Sequence, residues 1–230
     1  MTAIYIISAP SGSGKSTLVD KVRQIVPRLD FSISYTTRQP RGSEQNGREY
    51  FFVTRNQFEQ MIGQDEFLEY AEVFGNYYGT AKCFLERARQ AGHDLLLDID
   101  VQGAEQIKRR LPEAVSIFIL PPDRTTLELR LRHRSLDAED VIQRRLVTAT
   151  REIENYGKYD YILINDRLEE SIETLQAILL AERLRCAGAQ PSANNARMLA
   201  LAEGCRLGNV RQRLQPILAS FAAAATPDVR

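Results

Sequence analysis

Short apolar runs recur along the chain, separated by stretches of mixed polarity. Ile4-Tyr5-Ile6-Ile7 is the first, and Asp94–Asp98, Val115–Leu120 and Tyr159–Ile164 are of the same kind. Runs this short and this apolar predict strands buried on both faces, as in a parallel sheet. A helix is expected from Lys15, stopping before Pro27, and helix-length amphipathic sequence separates the later runs. Strands alternating with helices predict an α/β fold with a mainly parallel sheet.

Between Phe31 and about Thr80 the rhythm changes. Phe31, Ile33 and Tyr35 alternate with Ser32 and Ser34, which predicts a half-exposed strand. Asn46-Gly47 is a hairpin-turn signal ahead of Tyr50-Phe51-Phe52-Val53, and Gly75-Asn76 is a looser one before Tyr77-Tyr78. A small inserted β-rich subdomain is expected here. A second insert, from about Thr125 to Tyr156, reads as two arginine-rich helices. The expected partition is a core over 1–33, an insert over 34–82, core again over 83–124, a second insert over 125–156, core over 157–186, and an extension over 187–230.

Composition narrows the classes. The 230 residues are 43% hydrophobic and 26% charged, which is globular and excludes a wholly disordered chain. Lys+Arg and Asp+Glu both number 30, so no global charge points to nucleic acid or a membrane surface, and neither partner is expected. Cys83, Cys186 and Cys205 are widely spaced and odd in number, suiting neither a disulfide framework nor a zinc module. No run is long enough for a membrane span or a signal-peptide core, and a cytoplasmic location is expected. The oligomeric state stays open.

The strongest chemical signal is Ala9-Pro10-Ser11-Gly12-Ser13-Gly14-Lys15-Ser16, followed by Thr17. Glycines let backbone N–H groups surround phosphate, and the following helix adds its N-terminal partial positive charge. Lys15 is expected to reach the β- and γ-phosphates of ATP, and Ser16 to offer its hydroxyl to Mg²⁺. Ala9 stands where the usual pattern has glycine, at a strand end that needs no positive φ. Asp98 and Asp100 follow a second apolar run on one strand face, and Asp98 is the expected metal carboxylate; such a pair also serves commonly as a helix cap.

Several blocks then agree in order and spacing with one family. Phe31–Arg41, Asn46–Tyr50, Glu66–Tyr70, Gly75–Thr80 and Leu97–Gly103 resemble guanylate kinases, and the resemblance covers about residues 1–185. It implies a P-loop NTPase core with a parallel sheet, an inserted nucleotide-monophosphate-binding subdomain and a helical lid. The implied reaction transfers a phosphoryl group from ATP to GMP, and also to dGMP, with Mg²⁺. The implied ATP contacts are Ala9 to Thr17 and Asn165. The implied GMP contacts are Ser34, Arg38, Arg41, Tyr50, Glu69, Tyr78, Thr80 and Asp100.

Each of these has a physical rationale beside a plainer one. Arg38 and Arg41 flank Pro40 and make a guanidinium fork for a second phosphate, or a solvated turn. Tyr50 and Tyr78 offer hydroxyls to the same phosphate, or pack in a β-rich core. Glu69 accepts the adjacent N1–H and N2–H₂ donors of guanine, whereas adenine's N1 lone pair leaves the carboxylate unmatched, a discrimination of about 1–3 kcal/mol. Outside its block, Glu69 reads as a surface charge. Ser34 and Thr80 correspond to the family's base-contacting hydroxyls, with Thr80 where many members have serine.

In the second insert the resemblance points to Arg130, Arg134 and Arg145 as lid arginines acting with Lys15 and Arg38 in catalysis. Arginines aimed at the migrating phosphoryl group are worth ~10³–10⁵ in rate. His133-Arg134-Ser135 replaces the family's frequent Gly-Arg-Gly and predicts a stiffer lid. Arg132 and Arg144 read as solvated charges. Asn165-Asp166 correspond to the family's adenine-side segment, or form a helix cap.

The extension has a net charge of +3, from five arginines against Glu203 and Asp228. Leu207, Val210, Leu214, Leu218 and Phe221 follow helical spacing, interrupted by Pro216. A loosely docked or partly disordered appendage is expected, with a partner-binding helix as the alternative. Two rivals accompany the kinase reading: a catalytically inactive interaction module on the same fold, and a kinase with a different acceptor. The joint presence of Lys15, Ser16, Arg38, Arg41, Glu69 and Asp100 argues against the first, and Glu69 with the arginine pair against the second.

Overall fold

The computed structural model describes residues 2–73, 75–134, 138–190 and 192–222. In chain order, β1 (Ile4–Ser8) leads to α1 (Lys15–Ile25), then β2 (Leu29–Ser32), β3 (Tyr35–Thr36) and β4 (Phe51–Phe52). Next come α2 (Arg55–Gly63), β5 (Phe67–Val73), β6 (Asn76–Ala81), α3 (Lys82–Ala91), β7 (Asp94–Asp98) and α4 (Val101–Arg110). The remainder is β8 (Val115–Leu120), α5 (Arg124–Arg134), α6 (Glu139–Ile153), β9 (Tyr161–Ile164), α7 (Leu168–Cys186), α8 (Ala196–Gly204) and α9 (Leu207–Ala222). Two compact units result, Met1–Ile7 with Val26–Val115, and Ser8–Ile25 with Ser116–Arg230.

In the first unit, β7 lies between β2 and β1, all parallel, with Phe31 opposite Leu96 and Ile6 opposite Leu97. Ile6, Leu95, Leu96 and Leu97 are fully buried, as a strand covered on both faces requires. A separate sheet has the order β4-β3-β6-β5, in which β3 and β4 are parallel and the other pairs antiparallel. Phe58 of α2 stacks on Phe67 at 4.4 Å and on Tyr77 at 5.1 Å, filling the space beneath that sheet.

Three local expectations change. The alternating run Phe31–Tyr35 is divided, because β2 joins the parallel sheet and β3 the second sheet. Asn46-Gly47 does not join antiparallel strands: β4 runs parallel to β3, and Asn46 instead accepts the Phe52 N–H through its side chain at 2.8 Å. The looser signal at Gly75 marks the actual hairpin, with Val73 opposite Asn76 and Gly75 at φ +78°. Helix α2, absent from the pattern reading, begins with a capping box between Thr54 and Gln57.

In the second unit β8 and β9 are parallel, with Phe118 opposite Ile162. Asp160 ties the two together by accepting both the N–H and the hydroxyl of Ser116 at 2.8 Å. α1 packs against α7.

The extension is docked over residues 192–222, which corrects the loosely attached appendage. The Ile162 N–H donates to the Cys205 carbonyl at 2.8 Å and the Leu207 N–H to the Asp160 carbonyl at 3.1 Å, so the tail backbone runs antiparallel beside β9. Glu182, 3% exposed, accepts from Tyr161 Oη and from Arg206 at 2.7 Å and pairs with Arg185 at 2.8 Å. Val210, Leu214, Ile217 and Phe221 form the buried stripe of α9, which packs on α5, α6 and β9. Pro216 does not end that helix. The Ser220 hydroxyl accepts the Arg124 N–H at 3.1 Å, at the open N-terminus of α5.

Candidate active site

Two clusters of predicted residues form, one in each unit. In the second unit the loop 9–14 leads into α1, which begins at Lys15. The loop closes through Ser13 N–H donating to the Pro10 carbonyl at 3.1 Å. Gly12 and Gly14 have φ of +92° and +86°, a region that L side chains rarely adopt, whereas Ala9 does not take a positive φ. Glycine is demanded at Gly12 and Gly14 by space as well. A Cβ at Gly12 would lie 2.8 Å from Leu131 of α5, and one at Gly14 would lie 2.4 Å from Asn165 Nδ2. Lys15 is half-buried, while Ser16 and Thr17 are exposed on the first turn of α1.

Asn165 is 4% exposed and donates its side-chain amide to the Ser13 carbonyl at 2.7 Å. It is not a helix cap, since Arg167 stands at the N-cap of α7. Its own carbonyl accepts from Arg130 Nη2 at 3.0 Å, and that nitrogen also approaches the Asp166 carbonyl at 3.4 Å. Arg130 Nη1 is buried without a hydrogen-bond partner among the described residues. Arg145 Nη2 donates to Ser11 Oγ at 2.8 Å. Thus two of the three expected lid arginines stand at the loop or at the residue bracing it. The Arg134 backbone ends α5, but its side chain, like all of Ser135, lies outside the described residues. Arg132 is engaged by Glu128 at 2.7 Å and Glu139 at 2.6 Å, and Arg144 by Asp140 at 2.5 Å. The Arg132 hydrogen bond holds the Glu139 carboxyl down at about 2.

In the first unit Arg38 is 8% exposed. Its guanidinium donates to Glu44 Oε1 at 3.0 Å and to the Gln39 carbonyl at 2.7 Å, and lies 5.3 Å from the centroid of Tyr50. The Tyr78 hydroxyl favours the charged form of the same guanidinium, and the Tyr78 ring meets Tyr50 edge-on at 5.9 Å. Arg41 differs: its side chain is exposed, and its N–H donates to Glu44 Oε2 at 2.8 Å. What joins the two arginines is therefore Glu44, a residue that sequence reasoning missed and that no motif announced. The Arg38 hydrogen bond holds the Glu44 carboxyl below its ordinary 4.5.

In the same unit Glu69 is 4% exposed, not the surface charge it resembles in isolation. A register shift between Phe67 and Glu69 sets Glu69 opposite Thr80, whose hydroxyl donates to Glu69 Oε1 at 2.6 Å. Burial pushes the Glu69 carboxyl up to about 7, with the Asp100 charge adding to the rise and Thr80 opposing it. Asp98 ends β7, half-buried. Asp100 caps α4, accepting the Gly103 N–H at 2.8 Å. Ser34 is half-buried between β2 and β3, and its carbonyl accepts the Phe51 N–H at 2.9 Å.

Chemically, the second unit offers glycine-shaped backbone donors and cations, the dress of a polyphosphate site. The first offers a buried carboxylate with a hydroxyl beside it, and a guanidinium flanked by two tyrosines. Among the described residues no three His, Cys, Asp or Glu gather as a metal cluster, and no helix is long and apolar enough to cross a membrane.

Comparison with known proteins points to one family. Residues 1–182 match the family model described as Guanylate kinase. The chain is 60% identical over 227 residues to a guanylate kinase of Koribacter versatilis, covering 97% of each. This carries the likeness past residue 185 into the extension. It is 49% identical over 184 residues to the guanylate kinase of Escherichia coli K12, covering 79% of this chain and 89% of that one. A crystal structure of guanylate kinase from Anaplasma phagocytophilum superposes with a TM-score of 0.65 at 34% identity, covering 80% of this chain and 87% of that one. The chain belongs to the guanylate kinase family.

Proposed function

We propose that the protein catalyses ATP + GMP ⇌ ADP + GDP, with dGMP as a further acceptor. The observation that carries this reading is the buried Glu69 carboxylate with the Thr80 hydroxyl bound to it, 2.6 Å away. A carboxylate removed from water suits a ligand that offers two adjacent donors, as guanine does, and penalises one that leaves it unmatched. Ser34 and Asp100 join it on the base and ribose side. Arg38, Tyr50 and Tyr78 take the acceptor phosphate, with Arg41 closing over it.

The α-phosphate oxygen of GMP attacks the γ-phosphorus of ATP. The new O–P bond forms as the bond to the β-bridging oxygen breaks, leaving ADP. The attacking oxygen is already anionic near neutral pH, so no strong general base is needed. Lys15 and the backbone N–H groups of Gly12 and of Gly14 to Ser16 hold the β- and γ-phosphates. Arg130 and Arg145 neutralise charge on the migrating group, and the spare Nη1 of Arg130 suits that task. Arg134 is assigned the same role from its position in the sequence, and Asn165 braces the loop on the ATP side.

Ser16, which is exposed, and Asp98, which is half-buried, are hard oxygen donors of the kind that hold Mg²⁺ together with water and substrate phosphates. Bound there, Mg²⁺ would neutralise β- and γ-phosphate charge. Residues 34–82 serve as the acceptor-binding insert and 125–156 as the lid, and their closure keeps water from ATP. The enzyme acts in the cytoplasm on small molecules, with no nucleic acid or membrane partner.

A coupled phosphoryl-transfer assay against AMP, GMP, CMP, UMP and dTMP tests the assignment. Strong preference for GMP is expected, with loss of turnover in a folded Lys15→Ala variant. Equal rates on several acceptors, or an active Lys15→Ala enzyme, would contradict it. ATP hydrolysis without GMP at the kinase rate would remove the closure argument.

A further inference from the structure

Gly103 is the third residue of α4, where helix energetics alone would not choose glycine. Among the common residues only proline is a poorer helix former. The backbone does not require it, because Gly103 is not among the positive-φ residues. The reason lies in space. A Cβ at Gly103 would stand 2.6 Å from Glu69 Oε2 and 3.0 Å from Glu69 Cδ, with Asp100 Oδ1 at 3.5 Å.

Neither party retreats easily. The Gly103 N–H is bound to Asp100 Oδ1 at 2.8 Å, which fixes the first turn of the helix. Glu69 is 4% exposed and its other oxygen is bound to Thr80 at 2.6 Å. A methyl group at 103 is accommodated only by turning or withdrawing the carboxylate. Bidentate recognition depends on the placement of both oxygens, and displacements near 1 Å cost about a hundredfold in well-ordered sites.

We propose that Gly103 is a specificity-positioning residue: its missing side chain is the slot that sets the plane of the Glu69 carboxylate against the acceptor's base. This rests on the reading of Glu69 as the group that selects guanine. The position sacrifices helix propensity for a functional alignment, so substitution should separate stability from acceptor recognition.

The test uses the full chain carrying Gly103→Ala, Glu69→Gln, Glu69→Asp, or Gly103→Ala with Glu69→Asp. Gly103→Ala is expected to raise KM for GMP by about tenfold or more. KM for ATP should stay within about twofold and the thermal midpoint within about 4 °C of wild type. At saturating GMP, kcat should fall much less than kcat/KM. Aspartate withdraws the carboxylate by one methylene, so the penalty of Gly103→Ala should shrink in the Glu69→Asp background. If Gly103→Ala alone does not fold, recovery of folding in the double variant supports the slot, and failure to recover overturns it. Unchanged KM for GMP in Gly103→Ala, beside a GMP-selective defect in Glu69→Gln, overturns this proposal and leaves the base reading intact. A Glu69→Gln enzyme equally affected toward GMP and ATP removes the base reading itself. A Gly103→Ala enzyme weakened equally toward both nucleotides also overturns the slot.

Discussion

The Asn165 side-chain amide donates to the Ser13 carbonyl at 2.7 Å, linking the end of β9 to the phosphate loop across 152 positions of sequence. Asn165 Nδ2 occupies the space that a side chain at Gly14 would need. Loop conformation and loop sequence are thus set partly by a residue far away in the chain.

Asn165→Ala leaves the Ser13 carbonyl without that donor. A loss of about 1–3 kcal/mol in unfolding free energy is expected, with a higher KM for ATP and a smaller change for GMP. Denaturant unfolding and initial rates against each nucleotide check this. Asn165→Asp should be worse than alanine, because it sets an acceptor against an acceptor.

Glu44 holds Arg38 and the Arg41 N–H together. Its folded pKa is lowered, chiefly by the Arg38 hydrogen bond. A depressed carboxyl contributes stability above its ordinary 4.5, and that contribution is lost as pH falls through the lowered folded value. Glu44→Gln should therefore cost about 1–3 kcal/mol at pH 7, with the difference from wild type vanishing in strong acid. Urea titrations of both proteins across the acid range measure it.

Glu69 carries the opposite sign. Its carboxyl is raised from 4.5 to about 7 by burial, so the folded protein binds a proton that the unfolded chain releases, and stability declines between those pH values. Guanine's two donors favour the ionised form. GMP affinity should therefore improve by roughly tenfold per pH unit below 7 and level off above it. Glu69→Gln should keep only the dependence due to the GMP phosphate. Isothermal titration from pH 5.5 to 8.5 separates the two.

Leu214 is 1% exposed within the α9 stripe. Leu214→Ala should destabilise the protein by about 2–5 kcal/mol. Ser220→Ala, removing an acceptor from the open end of α5, should cost about 0.5–2 kcal/mol by analogy with helix N-caps. Neither should alter KM for GMP. Thermal unfolding with parallel kinetics decides both.

Much of this architecture was legible in the chain because buried parallel strands and the phosphate loop write themselves locally. Leu95-Leu96-Leu97 has no other comfortable environment, and Gly12 and Gly14 stand where the backbone turns left-handed. What escaped was non-local. Phe31 and Tyr35 share one alternating pattern yet sit in different sheets, because pairing partners, not periodicity, decide membership. Glu69 became buried through a register shift that no residue type signals. Ser220 matters through a partner distant in sequence and Gly103 through the space it leaves, while Glu44, close in sequence to both its arginines, belongs to no motif. The extension looked loose because Pro216 interrupts its pattern, yet the buried stripe on either side of that residue outweighs the lost hydrogen bond.

The tail bridge beside β9 has one further consequence. On the side away from β8, β9 would otherwise present N–H and C=O groups to any passing chain, the usual starting point for edge-to-edge polymerisation. Cys205, Arg206 and Leu207 occupy that side, with the Arg206 guanidinium laid 4.3 Å over the Tyr161 ring. The extension thus spends backbone groups at the start of β9 on its own chain, leaving fewer of them open to a second one.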